Sequence, residues 1–475
     1  MSIDHALWVH GHSAEIEYPD RVLSMVQKGY HVRVQGQPST VNWLHFAVPT
    51  PVIVDDCGMR LLRILFRYKS DGGGSVEAVH VYDGETRIVS DDAPTGVADS
   101  DGWTHIRVGV NLEEILCVRW GVGISIKLEF GRHGGQLEFE SAGCDFESAN
   151  QVGSQRFAVH TNKRHTLEFP YRSNRPIDVP NPAIERILIS LHGTGGNAEL
   201  YLHNGLTAAD RAGASDTTLI IAPQFIYPRE YYSGLPADLL HWNGGRAYGS
   251  ESVERDRDCD GSPESGTLSS FTVMDALLER VGRRSLFPNL AIIVIAGQSN
   301  GGQFVNRYAA SSRFEQEVAT PRGIHMRYVA MNSGSYLYFD EERAVHGETN
   351  VFEVPEGCAG YNDWPYGLDD LDRADCPWTY AKRVGASAMR DQYPGRDVIY
   401  LNGALDTAVE SDPNCKDALQ GRHTLERGEI YFNYLLHRFR TALQHERHVV
   451  AGVGHTGFGT MTSTEGLAAL FGPVT

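Results

Sequence analysis

The sequence predicts a two-domain protein, with an all-β, sandwich-like domain over residues 1–150 and an α/β domain over residues 151–475. In the first part, short segments of alternating apolar and polar residues are separated by Gly, Asp, Pro and Asn, and convincing helical periodicity is absent. In the second part, apolar strand-like runs alternate with amphipathic helix-like segments. This alternation is typical of a mostly parallel sheet that helices cover on both faces.

Composition narrows the classes of partner. The 475 residues carry a formal net charge of −18, with 42 Lys and Arg against 60 Asp and Glu, and they contain no basic stripe. We therefore expect no nucleic-acid partner, because phosphate backbones require clustered cations. No apolar run is long enough to span a bilayer, and the first residues lack the basic and apolar regions of a secretory signal. We expect no membrane partner and a cytoplasmic protein, or a secreted one if the chain is a processed form.

The seven cysteines are spread over the chain without a CxxC motif or a Cys/His cluster. We expect most of them to be buried free thiols. One disulfide is possible among Cys358, Cys376 and Cys415, because all three fall in or near loops.

An acidic segment resembles the first half of a calcium loop, with Asp256, Asp258 and Asp260 at alternate positions before Gly261. The twelfth position of that pattern is Thr267 where a calcium loop has a bidentate Glu. We therefore expect a solvated acidic loop, no metal at the candidate site and no cofactor, and binding of calcium by this loop is the alternative.

One serine lies between two glycines in the segment LAIIVIAGQSNGGQFVNRYAA, residues 290–310. The apolar run 291–296 predicts a buried strand, Gly297-Gln298-Ser299-Asn300-Gly301 a tight turn, and the following residues a helix. This strand–turn–helix pattern is the nucleophile elbow, which presents a serine hydroxyl at a helix N-terminus. The alternative is a glycine-rich turn that only begins a helix.

A serine hydroxyl needs a base to become a nucleophile, and the base needs an acid to orient it. Asp406 follows the predicted strand DVIYLNG, 107 residues after Ser299, and His455 follows the predicted strand RHVVAGVG, 49 residues after Asp406. We expect His455 to accept the Ser299 proton and Asp406 to hold the imidazole tautomer. Asp406 could instead be a turn residue, with Glu410 or Asp412 as the acid.

The anionic intermediate of acyl transfer needs backbone donors. The first is the N–H of Asn300, the residue after the serine. The segment LHGTGGN, which follows another predicted strand, supplies the second through Thr194 or Gly195. We expect His192 in this segment to be structural.

Two long inserts, over about 223–266 and 339–396, interrupt the α/β pattern. Long inserts in compact α/β domains are usually lids or binding loops. Their aromatic residues could form a wall around an organic substrate, or they could pack against the core. The candidate substrate contacts are Trp242 and Trp364 in the inserts, and Ser335 and Tyr336 at the end of a predicted strand.

Five segments in this order, LHGTGG, LTAADRAGASDTTLIIAP, AGQSNGGQ, LNGALD and VGHTG, resemble the α/β-hydrolase superfamily over about residues 165–475. Within it, the segments are similar to polyhydroxyalkanoate-depolymerase and feruloyl-esterase relatives, although Thr194 stands where esterase relatives often carry Cys. The resemblance implies an α/β-hydrolase fold and hydrolysis of a carboxylic ester through an acyl-enzyme. The expected partner is a small-molecule or polymer-linked ester, with neither polyester nor feruloyl groups implied.

Two alternatives to ester hydrolysis stay open. The same three side chains can cleave peptides, or can transfer an acyl group where water is excluded. The chain could also be a binding protein without catalysis, although the presence of all three side chains argues against this.

Overall fold

The computed structural model describes residues 5–54, 57–109, 118–148, 152–153, 155–161, 163–227, 236, 238–253, 266–371, 373, 378–409 and 413–473. The acidic segment from Asp256 to Gly261 and the alternative acids Glu410 and Asp412 lie outside these residues. The chain divides into two compact units, the first over Met1–Gln151 and the second beginning at Val152.

The first unit consists of antiparallel strands. They are β1 (His5–His10), β2 (Glu15–Ile16), β3 (Val22–Gln27), β4 (Val32–Gly36), β5 (Thr40–Val48), β6 (Ile53–Val54), β7 (Cys57–Asp71), β8 (Gly74–Asp83), β9 (Thr86–Asp91), β10 (Gly96–Ala98), β11 (Thr104–Gly109), β12 (Val122–Phe130) and β13 (Gly135–Ser148). One sheet has the order β10-β11-β7-β13-β4-β3, with β1 added on β13 and β6 on β7, and the other has the order β2-β5-β12-β8-β9.

Alternation along the strands builds the core of this unit. In β12, Val122, Ile124, Ile126, Leu128 and Phe130 are buried while the residues between them are not. Buried residues from both sheets form one hydrophobic cluster. The period of two in the sequence therefore gives each sheet one apolar face, and the two apolar faces share a core.

The second unit contains an eight-stranded sheet and nine α-helices within the described residues. Its strands are β14 (Gln155–His160), β15 (Thr166–Ser173), β16 (Arg186–Leu191), β17 (Thr218–Pro223), β18 (Ile292–Gln298), β19 (His325–Met331), the short pair β20 (Arg343–Ala344) and β21 (Phe352–Glu353), then β22 (Asp397–Gly403) and β23 (Glu446–Val450). Its helices are α1 (Ala198–Arg211), α2 (Ser270–Val281), α3 (Asn300–Ser311), α4 (Thr379–Val384), α5 (Ala386–Gln392), α6 (Cys415–Ala418), α7 (Thr424–Phe439), α8 (Gly457–Met461) and α9 (Thr464–Phe471).

The strand order of this sheet is β14-β15-β17-β16-β18-β19-β22-β23. Neighbouring strands are parallel throughout the part of the sheet that runs from β17 to β23. The strands β14 and β15 pair antiparallel with each other, and β15 pairs antiparallel with β17. Numbered within the sheet, the order is 1-2-4-3-5-6-7-8, with a helix directly after the fifth strand. This is the α/β-hydrolase arrangement, so the fold that the sequence resemblance implies is confirmed.

Helices cover both faces of the central strands. Every residue of β18 is buried, and its side chains divide between two hydrophobic clusters. Ile293 and Ile295 belong to one cluster, whereas Ile292, Val294 and Ala296 belong to the other. The continuous apolar run in the sequence is thus explained by a strand that is covered on both sides.

A disulfide between Cys358 and Cys415 joins the second insert to α6, with 5.9 Å between the two Cα atoms. The pair is one of those that the sequence left open among Cys358, Cys376 and Cys415. Cys144 is a buried free thiol. Among the described helices, none has the length and apolarity that crossing a bilayer requires.

Removing this disulfide is expected to lower stability. The bond closes a loop across 57 residues, and a loop of this length restricts the unfolded chain by about 4 kcal/mol. A Cys358→Ser/Cys415→Ser variant should therefore unfold at lower denaturant concentration than the parent under non-reducing conditions. Dithiothreitol should lower the denaturation midpoint of the parent to that of the variant, and it should leave the midpoint of the variant unchanged. A parent midpoint that does not respond to reduction would contradict the prediction.

Candidate active site

Ser299 connects β18 to α3 in a strained turn. Its backbone has φ 56° and ψ −116°, a positive φ that residues other than glycine seldom adopt. Its N–H donates to the carbonyl oxygen of Met331 at 2.9 Å, and its own carbonyl oxygen accepts from the N–H of Gln303 at 2.9 Å. Non-glycine residues in such conformations concentrate at functional sites, where the surrounding structure holds them.

The glycines around Ser299 are required by space. A Cβ on Gly297 would clash with the carbonyl group of Gly301, and a Cβ on Gly301 would lie 2.7 Å from the carbonyl oxygen of Leu191. A Cβ on Gly302 would lie 2.6 Å from the carbonyl oxygen of Met331. All three neighbours are backbone atoms that cannot swing aside. The helix after the serine therefore approaches the ends of β16 and β19 more closely than any side chain would allow.

Asp406 and His455 are in direct contact. The Oδ2 atom of Asp406 lies 2.7 Å from the Nδ1 atom of His455, and the side chain of Asp406 is 6% exposed. Nδ1 is the donor in this geometry, which leaves Nε2 as the ring nitrogen that can accept a proton. Backbone hydrogen bonds from Ala404 to Val450 at 2.9 Å and from Leu405 to Val453 at 2.8 Å hold the two loops together.

The parallel strands place all three predicted residues at one edge of the sheet. Ser299 follows β18, Asp406 follows β22 and His455 follows β23, and these strands run in the same direction with β19 between the first two. In open α/β sheets, ligands bind outside the carboxyl ends of the strands. This edge is therefore the place where the chemistry of these side chains could combine.

His192 is buried and fixes the loop that follows β16. Its Nε2 atom accepts the N–H of Phe225 at 3.0 Å, so the proton is on Nδ1, which donates to the carbonyl oxygen of Gly193 at 2.8 Å. Burial, and secondarily the charge of Arg246, lower the pKa of His192 to about 3. The ring is therefore neutral near pH 7 and acts as a fixed donor and acceptor, in line with the structural role expected for it.

Arg246, which the sequence analysis did not single out, orients the same loop. Its guanidinium donates to the carbonyl oxygens of Gly193 at 3.1 Å and Thr194 at 3.2 Å. In a trans peptide the C=O and the next N–H point in opposite directions. Fixing these carbonyl groups therefore turns the N–H groups of Thr194 and Gly195 away from the guanidinium. The contact joins the first insert to the loop, a pairing that no local motif reveals.

The aromatic candidates for substrate contact are buried. Trp242 and Tyr336 are fully buried and Trp364 is 3% exposed. The indole N–H of Trp242 donates to the carbonyl oxygen of Ser250 at 3.1 Å, and that of Trp364 to the carbonyl oxygen of Tyr248 at 2.8 Å. Their placement favours the alternative that the sequence left open, in which the inserts pack against the core.

Ser335 is also buried, and it orients a residue beside the elbow. Its hydroxyl accepts from Arg307 at 3.0 Å and donates to the amide oxygen of Gln303 at 3.2 Å. The hydroxyl of Tyr248 donates to the same amide oxygen at 2.7 Å. Gln303 is half-buried and lies one helical turn after Ser299. It is a functional candidate that the sequence analysis missed, although its position four residues after the serine is a usable signal.

Fold and site together define a protein of the α/β-hydrolase fold, with a strained serine turn and an acid–histidine pair at the same edge of the sheet. Residues 2–108, in the first unit, match a family of unknown function, DUF6623. No curated protein is significantly similar to the chain.

Solved structures similar to this chain include hydrolases. LpqC, a poly(3-hydroxybutyrate) depolymerase from Bordetella parapertussis, is 19% identical with a TM-score of 0.42, and the match covers 66% of this chain and 88% of that one. Poly(aspartic acid) hydrolase-1 from Sphingomonas sp. KT-1 is 20% identical with a TM-score of 0.41, and the match covers 65% of this chain and 96% of that one. Carboxyl esterase 2 from Tuber melanosporum is 12% identical with a TM-score of 0.30, and the match covers 69% of this chain and 84% of that one. Because these identities and TM-scores are low, the fold assignment rests on the strand order of this chain.

Proposed function

We propose that this protein is a serine hydrolase that cleaves a carboxylic ester through an acyl-enzyme. The observation that carries the proposal is the 2.7 Å hydrogen bond between Asp406 and His455, at the sheet edge where Ser299 occupies a strained turn. A histidine whose Nδ1–H is held by a buried carboxylate carries its basic lone pair on Nε2.

In the proposed reaction, the Ser299 hydroxyl oxygen attacks the ester carbonyl carbon while Nε2 of His455 takes the hydroxyl proton. The negative charge on the carbonyl oxygen is stabilised by the backbone N–H groups of Asn300 and Thr194. The intermediate collapses as the C–O bond to the alcohol breaks, and His455 returns the proton to the leaving alcohol. Water then repeats the sequence on the acyl-enzyme, releasing the acid and restoring Ser299. Asp406 keeps the imidazole of His455 oriented and stabilises the imidazolium that forms twice.

For the substrate, we propose a small-molecule or polymer-linked ester. The first unit, which we propose to be a sandwich-type accessory domain, supports the polymer-linked class. Its Trp8 is 47% exposed and its Trp120 is 79% exposed, whereas Trp103 is 7% exposed. Exposed tryptophans suit binding to the rings and chains of a polymer, because the side chain offers a large rigid contact area. Gln303 is proposed as a further substrate contact.

For the compartment, the Cys358–Cys415 disulfide supports the secreted alternative over the cytoplasmic one. Disulfides persist in oxidising compartments and are rare in the reducing cytoplasm.

The test is to incubate the chain with a fluorophosphonate probe and, separately, with p-nitrophenyl esters of increasing acyl length, a peptide amide and an ester plus excess alcohol. The proposal expects one probe adduct, at Ser299 by mass spectrometry, and release of free acid. Cleavage of the amide alone would replace ester hydrolysis with peptidase activity. A new ester as the main product would indicate acyl transfer. Absence of both labelling and turnover across neutral pH would favour a binding protein.

A further inference from the structure

Asn332, the first residue after β19, lies at the centre of a set of hydrogen bonds beneath the candidate active site. Its side chain is fully buried. Its amide nitrogen donates to Oε1 of Gln298 at 3.1 Å and to Oγ1 of Thr460 at 3.0 Å, and its amide oxygen accepts the N–H of Gly403 at 2.8 Å. Both amide hydrogens and the oxygen are therefore used.

Each of these three partners belongs to a different segment next to a residue of the proposed triad. Gln298 directly precedes Ser299, and Gly403 is the last residue of β22, three residues before Asp406. Thr460 is in α8, five residues after His455. One side chain thus connects the segments that carry the nucleophile, the acid and the base.

The backbone of Asn332 is fixed in an unusual conformation. Its φ is 44°, in the left-handed region where Asn is tolerated better than most residues. Its N–H donates to the carbonyl oxygen of Leu401 in β22 at 2.8 Å. The chain therefore turns sharply at the end of β19, and the amide is held under the turn at Ser299 instead of following the strand direction.

The chemistry of the three partners requires an amide. The hydroxyl of Thr460 donates its own proton to the carbonyl oxygen of Thr456 at 2.8 Å, so it presents lone pairs to Asn332. The N–H of Gly403 needs an acceptor. Among side chains of this length, only Asn combines an acceptor with two donors. A buried carboxylate would face the lone pairs of Thr460 and would also lose its hydration.

We propose that Asn332 is a positioning residue for the catalytic triad, setting the relative placement of Ser299, Asp406 and His455 through Gln298, Gly403 and Thr460. The inference rests on the proposed function, because it assigns Asn332 a role in aligning that triad. A misplacement of reacting groups by about 1 Å can lower a rate by about 100-fold. The loss should appear in kcat and leave KM almost unchanged, since Asn332 is buried beneath the site.

The test compares Asn332→Asp with Asn306→Asp, a matched control. Asn306 is equally buried and makes three hydrogen bonds, to Tyr393, Tyr431 and the N–H of Leu337, and none of these partners is in a triad loop. Both variants should lose stability. At a temperature where both are folded by circular dichroism, Asn332→Asp should lower kcat and the fluorophosphonate labelling rate by about 100-fold, with KM nearly unchanged. Asn306→Asp should keep both rates within about threefold of the parent.

A milder pair of variants keeps the test decisive if Asn332→Asp does not fold. Thr460→Val removes the hydroxyl that accepts a hydrogen bond from the Asn332 amide, at nearly constant volume, whereas Thr460→Ser retains that hydroxyl. We expect kcat to fall by about 10-fold in Thr460→Val and to stay close to the parent value in Thr460→Ser. Equal activity in both Thr460 variants, or equal losses at Asn332 and Asn306, would overturn the inference while leaving the proposed function intact. A parent chain that neither reacts with the probe nor turns over esters would overturn both.

Discussion

Replacing Ser299 with alanine is expected to abolish labelling by the fluorophosphonate probe and to lower kcat for an ester substrate by about 10⁶-fold. The substitution removes the attacking oxygen, so no acyl-enzyme can form. The backbone donors and the binding surface stay in place, and KM should therefore change little. Steady-state kinetics on a p-nitrophenyl ester, together with intact-protein mass spectrometry after probe treatment, measure both quantities.

Ser311→Ala is the matched control for this experiment. Ser311 is the last residue of α3, the helix that begins directly after Ser299, and it is fully buried; its hydroxyl donates to the carbonyl oxygen of Arg307 at 2.8 Å. Its loss should cost about 1 kcal/mol of stability and leave labelling unchanged. Persistent turnover in Ser299→Ala, with a probe adduct on another residue, would remove Ser299 from the mechanism.

Replacing Asp406 with asparagine should lower kcat by about 10⁴-fold near pH 7. An asparagine amide can donate to Nδ1 of His455, which forces the ring proton onto Nε2. In that tautomer the ring cannot accept the Ser299 proton. His455→Ala should cause a loss at least as large, because the base itself is removed. The Asp406→Asn variant should keep the parent's KM, and the loss should appear in the probe labelling rate as well.

A second carboxylate–histidine pair in the same sheet provides the control. Asp397 lies 2.8 Å from His325, at the starts of β22 and β19 and thus at the opposite edge of the sheet. Burial favours a raised pKa, but hydrogen bonds from His325 and Arg327 hold the pKa of Asp397 below its ordinary value. Such a carboxylate stabilises the fold above its unfolded pKa, and this stabilisation is lost as pH falls. Asp397→Asn should therefore lower the melting temperature at neutral pH and leave kcat nearly unchanged. Equal kinetic losses in the two variants would argue against a catalytic role for Asp406.

Local sequence patterns were sufficient for the strand–turn–helix at Ser299 and for the all-β and α/β character of the two units. The apolar run before Ser299 becomes the buried strand β18, and the residues after it become α3. The glycines are explained by contacts within a few residues and by the ends of the neighbouring strands. These features could be predicted because strand and helix periodicity, and the need for a tight turn, are properties of short segments.

The partners of Asp406, Thr194 and Asn332 could not be predicted from local patterns. Asp406 was one of three acids in one loop, and its choice depends on a hydrogen bond across 49 residues. Arg246 reaches Thr194 across 52 residues and Asn332 reaches Thr460 across 128. The burial of Trp242 and Trp364 is equally non-local, since an aromatic residue in an insert can line a cleft or fill a core.

By itself, the sequence determined which segments become strands and helices, where the strained serine lies, and that a loop with candidate acids and a histidine follow later strands. Only the tertiary structure decided that Asp406 faces His455, that Cys358 pairs with Cys415, and that one buried asparagine contacts the three segments next to Ser299, Asp406 and His455. The physical reason is that periodicity and turn chemistry act over a few residues. Hydrogen bonds between loops depend instead on the order in which parallel strands assemble, and the sheet brings distant residues together only after folding.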